Sequence, residues 1–271
     1  MSLLNSCRPG QAGAEFNFDR RARGHSVHRG ILTVPALYKI VVINNSSQSQ
    51  PFSLFQAPSA YGTTAQVVST SLDCQPLRPF SEAGTTLSFS VDSQVYAGAQ
   101  ETMPSTFKNS TSESHLLSRS LAAASAPQTS AVQKVNPTKD VGSGAANFTI
   151  MSVDPVGLSP AIAKDGLPLG AFCISVPSYT PPVPLYKIGN AAVNQDGSVI
   201  LSSFIQAPPN QLVLITVSQV FYVAAASFPT GSVIDYTTAM SSAAECDFSK
   251  GYTTYTVSYG SNGRFSVQAA Y

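Results

Sequence analysis

The chain has 271 residues, of which 43% are apolar and only 11% are charged, and its formal net charge is +1. The charged share is well below the ~25% of typical soluble proteins. A net charge this small creates no long-range field, so the composition argues against nucleic acid and anionic membrane surfaces as partners. No apolar run of about 18 residues occurs, so we expect no membrane span.

The first segment in chain order, residues 1–33, is rich in basic side chains and has no apolar periodicity. This pattern predicts a flexible basic arm, with a contact site for an anionic partner and an imperfect transit segment as alternatives. The first 16 residues, MSLLNSCRPGQAGAEF, lack the basic start and apolar core of a usual signal peptide. We therefore expect a cytoplasmic protein, and secretion is the alternative.

Residues 34–100 contain the stretch LYKIVVINNSSQSQPFSLFQAP, which opens with Tyr38, Ile40 and Val42 on one side and Val41 and Ile43 on the other. An apolar, β-branched run of this kind is typical of a strand buried on both faces. The polar stretch NNSSQSQ predicts a turn, because Asn tolerates positive φ. With PFSLF as the returning strand, the sequence predicts a hairpin or a meander.

The cleanest period-two signal is TTLSFSVDS, where Leu87, Phe89 and Val91 alternate with polar residues. Such alternation indicates a strand with one buried face and one solvent-exposed face. Residues 101–145 are rich in Ser, Thr and Ala with scattered Pro, which predicts a long loop or linker.

Order resumes in residues 146–271, where two hairpins are predicted. Asp196-Gly197 supplies a turn between apolar strands, and Asn262-Gly263 does the same near the end. Many short strands with turn residues between them, and no convincing amphipathic helix, predict an all-β protein with β-sandwich architecture. A closed barrel is the alternative.

Three short strings recur in the same order along the chain. They are YKI from Tyr38 and Tyr186, QAP from Gln56 and Gln206, and SQV from Ser93 and Ser218. The collinear order suggests an internal duplication, but the spacing between the second and third strings differs greatly between the two copies. A real duplication predicts two packed sandwich halves at residues 34–100 and 146–271.

The four cysteines show no metal-ligand spacing; they are Cys7, Cys74, Cys173 and Cys246. We interpret them as ordinary thiols. A disulfide between Cys74 and Cys246 is the alternative, and it requires an oxidising compartment.

Two segments resemble the RhiA-like, rhizosphere-expressed family of proteins. They are VVINNSSQSQPFSLFQ, from Val41 to Gln56, and FIQAPPNQLVLITVSQVFYVAAASFPTGSVID, from Phe204 to Asp235. The family carries Trp in several strands, whereas this chain has none. The resemblance therefore implies a shared strand and turn pattern rather than a shared ligand site.

Catalytic and metal-binding constellations are sparse. The three histidines, His25, His28 and His115, lie outside the predicted strands, so no rigid catalytic base is expected. We predict no metal site and no cofactor. Asp92 and Asp235 lie at comparable places near the repeated strands, where they are either solvated strand ends or paired acids of a cleft.

Tyrosine is the remaining residue type that suggests a ligand, since it combines an apolar body with a polar tip. Tyr96 and Tyr222 each follow an SQV string and are our first candidates for lining a pocket.

Three function classes remain. The first is a non-catalytic, RhiA-like β-sandwich that binds a small molecule, a glycan or a partner. The second is a cofactor-independent cyclase or isomerase acting on an apolar metabolite, since a shaped pocket and a few polar groups are enough for such chemistry. The third is a self-assembling structural protein, because a net charge near zero favours homo-oligomers.

Overall fold

The computed structural model describes residues 37–102, 130–140, 142, 144–180, 185–193 and 197–271. Strands dominate this part of the chain, so the all-β prediction is confirmed. The strands are β1 Leu37–Asn45, β2 Gln50–Gln56, β3 Ala60–Tyr61, β4 Val68–Leu77, β5 Leu87–Asp92, β6 Val95–Thr102, β7 Ser130–Val135, β8 Phe148–Val153, β9 Val156–Leu158, β10 Ala171–Ser175, β11 Leu185–Val193, β12 Val199–Gln206, β13 Leu212–Thr216, β14 Val220–Ala224, β15 Val233–Ile234, β16 Ala244–Asp247, β17 Thr254–Gly260 and β18 Phe265–Ala270. The short helical elements are α1 Phe80–Ala83, α2 Tyr236–Met240 and a 3-10 turn at Phe248–Lys250.

The strands form three sheets. A large nine-stranded sheet has the order β16-β14-β2-β4-β12-β11-β6-β7, with β15 beside β4. The four-stranded sheet runs β18-β17-β1-β5, and the five-stranded sheet runs β3-β13-β10-β8-β9. The large sheet curls like half a barrel, but its end strands β16 and β7 do not pair with each other. The closed barrel is therefore not the arrangement of the described strands.

The four-stranded sheet packs on one end of the large sheet. Its strand β5 confirms the predicted alternation, because Leu87 and Phe89 are buried while Ser88 and Ser90 are exposed. These apolar side chains meet the inner face of β2, β4 and β14 in the first core. Its buried members are Ile40, Val42, Phe52, Leu54, Leu72, Leu77, Leu87, Phe89, Ile200, Phe221, Val223, Ala244, Cys246, Phe248, Tyr255 and Val257.

The five-stranded sheet packs on the other end of the large sheet, over β6, β11 and β12. The second core has as buried members Ala97, Ala99, Val135, Met151, Val156, Phe172, Ile174, Val176, Tyr186, Ile188, Ile205, Ala207, Val213 and Ile215. Two facing apolar sheets form a sandwich, so the large sheet serves as the shared layer of two sandwiches. Each core takes strands from both sides of residues 101–145, so neither sandwich corresponds to one continuous segment.

Three local expectations turn out differently. The predicted hairpin of β1 and β2 is wrong, because β1 pairs with β17 and β5 whereas β2 pairs with β14 and β4. The YKI strings fall in β1 of the four-stranded sheet and in β11 of the large sheet, so they do not mark equivalent strands. Within the predicted linker, residues 130–135 form strand β7. The arm at residues 1–33 lies outside the described residues.

The described cysteines, Cys74, Cys173 and Cys246, are free thiols, in agreement with the preferred interpretation for these three, and Cys7 lies outside the described residues. The alternative Cys74–Cys246 disulfide is wrong because two strands, β2 and β14, separate β4 from β16. Three strand spacings amount to roughly 14 Å, about twice the longest Cα separation that a disulfide spans. No helix in the described part of the chain is long and apolar enough to cross a membrane.

Candidate functional site

A cleft of about 650 Å³ lies where the two sandwiches adjoin. Its floor comes from β2, β4 and β11 in the middle of the large sheet, and one wall comes from β5 of the four-stranded sheet. Residues 217–219, which connect β13 to β14, form a further wall. Small-molecule sites commonly occupy clefts of this size at junctions between packed units.

The cleft is lined by polar, uncharged side chains, two carboxylates and several aromatic rings. The hydroxyl and amide groups belong to Ser88, Ser90, Ser93, Ser218, Gln56, Gln75, Gln94, Gln219 and Asn190. The carboxylates and rings belong to Asp73, Asp92, Tyr38, Phe89, Tyr96 and Phe221. No Lys, Arg or His is among these described lining residues, so an anionic ligand would find no positive partner in the cleft.

Asp92 and Tyr96 face each other across the tight turn between β5 and β6. The Tyr96 hydroxyl donates to Asp92 Oδ2 at 3.2 Å, and the backbone N–H of Gln94 donates to Asp92 Oδ1 at 2.8 Å. The Gln94 side chain fixes the turn by donating to the carbonyl oxygens of Val95 and Val135. Burial, and then the nearby Asp92 carboxylate, raise the pKa of the Tyr96 phenol, so it stays protonated at neutral pH.

Asp73 presents the second carboxylate, on strand β4. Its Oδ1 accepts from the backbone N–H of Cys74 at 2.7 Å, and its Oδ2 accepts from the Gln75 side chain at 2.7 Å. Each oxygen has further lone pairs, because an ionised carboxylate offers about four acceptor positions. Asp73 is thus oriented by the protein and retains acceptor capacity for a ligand.

Two buried amides, Gln56 and Asn190, form part of the floor. Asn190 Nδ2 donates to Gln56 Oε1 and to Ser202 Oγ, at 2.9 Å each. The Gln56 amide donates in turn to the carbonyl oxygen of Ser218 on the wall. The pairing of β11 with β12 shifts between Asn190 and Ala191, where Ser202 of β12 is the extra residue, and β-bulges of this kind re-aim side chains.

Tyr38 contributes an aromatic group at the start of β1. Its ring stacks on Phe248 with centroids 4.2 Å apart, and burial raises the pKa of its phenol. A packed ring of this kind is a rigid, amphipathic contact that loses little entropy on binding.

The candidates Tyr222 and Asp235 lie elsewhere. Tyr222 stacks on Phe55 with centroids 5.5 Å apart, and its hydroxyl donates to Glu245 Oε2 at 3.1 Å. Asp235 caps α2, where its carboxylate accepts from the Thr238 N–H at 3.3 Å and from the Thr238 hydroxyl at 2.8 Å. Asp235 borders a smaller hollow of about 280 Å³. The structure therefore brings together two of the four predicted residues, Asp92 and Tyr96.

The repeated SQV strings also pointed to residues of the cleft that we did not select as candidates. Both SQV strings line the cleft, through Ser93 and Gln94 on one side and Ser218 and Gln219 on the other. Gln56 begins the first of the two QAP strings, which we did not connect with a site, whereas Asp73 and Asn190 belong to none of the three recurring strings.

Among the described residues, no group of three or more His, Cys, Asp or Glu side chains is arranged to hold a metal ion. His25, His28 and His115 lie outside the described residues.

Comparisons of this chain with protein-family models, with curated proteins and with solved structures give no match. The resemblance to RhiA-like proteins therefore stays a prediction from the sequence.

Proposed function

We propose that this chain is a non-catalytic binding protein of RhiA-like type, and that its cleft takes a neutral, hydroxyl-rich small molecule such as a mono- or disaccharide. The observation that carries the proposal is the combination of amide, hydroxyl and carboxylate side chains with tyrosine rings in a cleft whose described lining has no basic group.

The hydrogen-bonding inventory supports a saccharide. Sugar hydroxyls both donate and accept, so they suit a site that mixes acceptor-only carboxylates with amides and hydroxyls, which both donate and accept. Asp73 and Asp92 are each oriented by protein donors and have acceptor capacity left. Tyr38 and Tyr96 add apolar surface for the C–H faces of a sugar ring.

The electrostatics favour a neutral ligand over an anionic one. Two carboxylates without a described basic neighbour in the cleft repel phosphates and uronic acids. The raised pKa of the Tyr96 phenol keeps it protonated at neutral pH, so it enters the proposed site as a hydrogen-bonding group. The cytoplasmic location expected from the sequence forms part of the proposal.

The test is titration calorimetry with glucose, galactose, N-acetylglucosamine and their disaccharides, with glucuronate and glucose 6-phosphate as anionic counterparts. We expect measurable affinity for at least one neutral sugar and much weaker affinity for its anionic counterpart. Asp92→Asn should weaken binding about 10- to 100-fold, because it removes a charged acceptor. Tyr96→Phe should weaken it less, because the ring remains.

Matched control variants are available on the same chain. Asp235→Asn and Tyr222→Phe make the same chemical changes outside the cleft and should leave the affinity unchanged. The double variant Asp73→Asn with Asp92→Asn should reduce the discrimination against glucuronate. Absence of binding to every neutral sugar, or equal losses in the control variants, would overturn the proposal.

A further inference from the structure

Strand β18 is an exposed edge of the four-stranded sheet. It pairs with β17 in an unbroken antiparallel register, from Tyr259 opposite Phe265 to Thr254 opposite Ala270, and no described strand pairs with its other side. Every residue from Ser266 to Tyr271 is exposed, so both faces of the strand reach solvent.

Strand β18 lacks the features that usually protect a sheet edge from pairing with another strand. The strand reads FSVQAA and has no charge, proline, glycine or bulge. Natural sheet edges are normally blunted by charges, bulges or short length. The other described edges follow that rule, since β7 carries Lys134, β16 carries Glu245 and Asp247, β5 ends in Asp92, and β3 and β9 have only two and three residues.

The alternation of hydrogen bonds along β18 shows which of its backbone N–H and C=O groups are unpaired. The Gly260 N–H donates to the Arg264 carbonyl at 2.9 Å, so Arg264 points its backbone groups toward β17. Hydrogen-bonded and outward residues alternate along an antiparallel strand. Ser266 and Gln268 therefore bond to β17, whereas Phe265, Val267 and Ala269 direct their N–H and C=O groups outward.

We infer that β18 pairs with β18 of a second copy of this chain, antiparallel about a two-fold axis at Val267. In that register Val267 bonds to its own counterpart and Phe265 bonds to Ala269 of the other copy, which gives about six new hydrogen bonds. A second copy fits this edge because an uncharged strand opposes itself without like-charge repulsion. The same patch on both subunits makes the closed, isologous contact that is commonest in homodimers.

Wild-type protein tests the inference directly, in the presence of reductant to keep its thiols free. Sedimentation equilibrium should show a monomer–dimer equilibrium that moves toward dimer as the concentration rises. Hydrogen exchange should show that the amides of Phe265, Val267 and Ala269 gain protection with concentration. Those of Ser266 and Gln268 should be protected throughout. A monomer at all concentrations, or unchanged exchange at the outward amides, would overturn the inference.

Two variants locate the contact. Val267→Lys places like charges opposite each other on the two-fold axis, and Val267→Pro removes an outward N–H without removing a bond to β17. Both should weaken dimerisation by at least ~10-fold. Val132→Lys, at a half-exposed position of edge strand β7, is the matched control and should dimerise like the wild type. A dimer that persists in both Val267 variants, or that is lost equally in the control, would exclude the β18 contact.

Discussion

Asn190 and Gln56 meet side chain to side chain between the two apolar cores, with Asn190 Nδ2 donating to Gln56 Oε1 at 2.9 Å. Both side chains are buried, and both line the cleft. Because Gln56 also donates to the carbonyl oxygen of Ser218, the pair connects the large sheet to a wall of the cleft. The stability of the shared sheet and the shape of the proposed binding site therefore depend on the same two amides.

We predict that Asn190→Ala lowers the free energy of unfolding by about 1–3 kcal/mol, because it leaves buried acceptors on Gln56 and Ser202 without their donor. Urea denaturation measures this change. A double-mutant cycle with Gln56→Ala should show strong non-additivity, since the two side chains share one bond. Gln206→Ala, which removes an exposed amide from the neighbouring strand β12, is the control and should change the free energy little. Equal effects of Asn190→Ala and the control would contradict the prediction.

Gly189 is expected to tolerate no side chain. A Cβ atom at this position would lie 2.0 Å from the Ser203 carbonyl oxygen and 2.6 Å from the Tyr61 hydroxyl. We predict that Gly189→Ala destabilises the protein by about 3 kcal/mol or more, because the backbone of β12 must move. The melting temperature and the soluble yield would show the loss.

Gly157→Ala provides the comparison for Gly189→Ala. The close neighbour of its Cβ is the Ser152 hydroxyl at 2.7 Å, on an exposed side chain that can rotate away. We expect only a small change in melting temperature for this variant. Comparable losses at the two glycines would show that the close approach of β11 to β12 does not limit the fold.

Local patterns in the sequence predicted the buried face of β5 correctly, but the expectation that β1 is buried on both faces is wrong, because Lys39 is exposed and Val41 is only partly buried. The alternation in β5 and the Asn262-Gly263 turn between β17 and β18 both follow from near neighbours along the chain, and both are found in the structure. The pairing partners were not predictable in this way. Strand β1 lies parallel to β17 from the far end of the chain, and periodicity specifies a buried face without specifying the strand that lies beside it.

Two of the four predicted site residues line the cleft, and distance along the chain again explains which residues could be predicted. Asp92 and Tyr96 flank one short turn, so their proximity is local and visible in the sequence. Gln56 and Asn190 come from strands that are far apart along the chain, and only the order of the large sheet brings them together. Tyr222 follows an SQV string, as Tyr96 does, but the ring of Tyr222 packs against Phe55 under α2 instead of lining the cleft.

Asp247 should make the stability of the protein pH-dependent. Its Oδ1 accepts from the Ser249 N–H at 3.0 Å and from the Ser249 hydroxyl at 2.6 Å, and its Oδ2 lies 3.1 Å from Lys250 Nζ. These donors, with Ser249 the largest contributor, hold the pKa of the carboxyl below its ordinary value. A lowered folded-state pKa stabilises the protein above the unfolded value of about 3.9, and this stabilisation is lost as the pH falls through the folded pKa.

The variant Asp247→Asn should therefore be less stable than wild type near pH 7, and the difference should shrink as the pH falls below about 4. Urea unfolding at a series of pH values measures this difference. Asp165→Asn, at an exposed loop carboxylate, serves as the control and should show a much smaller pH-dependent difference. A difference between wild type and Asp247→Asn that stays constant from pH 7 to pH 3 would contradict the prediction.

Cys246 should resist alkylation in the folded protein. Burial, and then the neighbouring Glu245 carboxylate, raise the pKa of its thiol to about 12, and its side chain is fully buried in the first core. Because the thiolate is the reactive form, we predict that iodoacetamide at pH 8 modifies Cys246 at least ~100-fold more slowly than the partly exposed Cys74. Peptide mass spectrometry after timed labelling gives both rates, and labelling in urea should make them nearly equal. Equal rates in the folded state would mean that strand β16 opens readily, in conflict with its packing against β14.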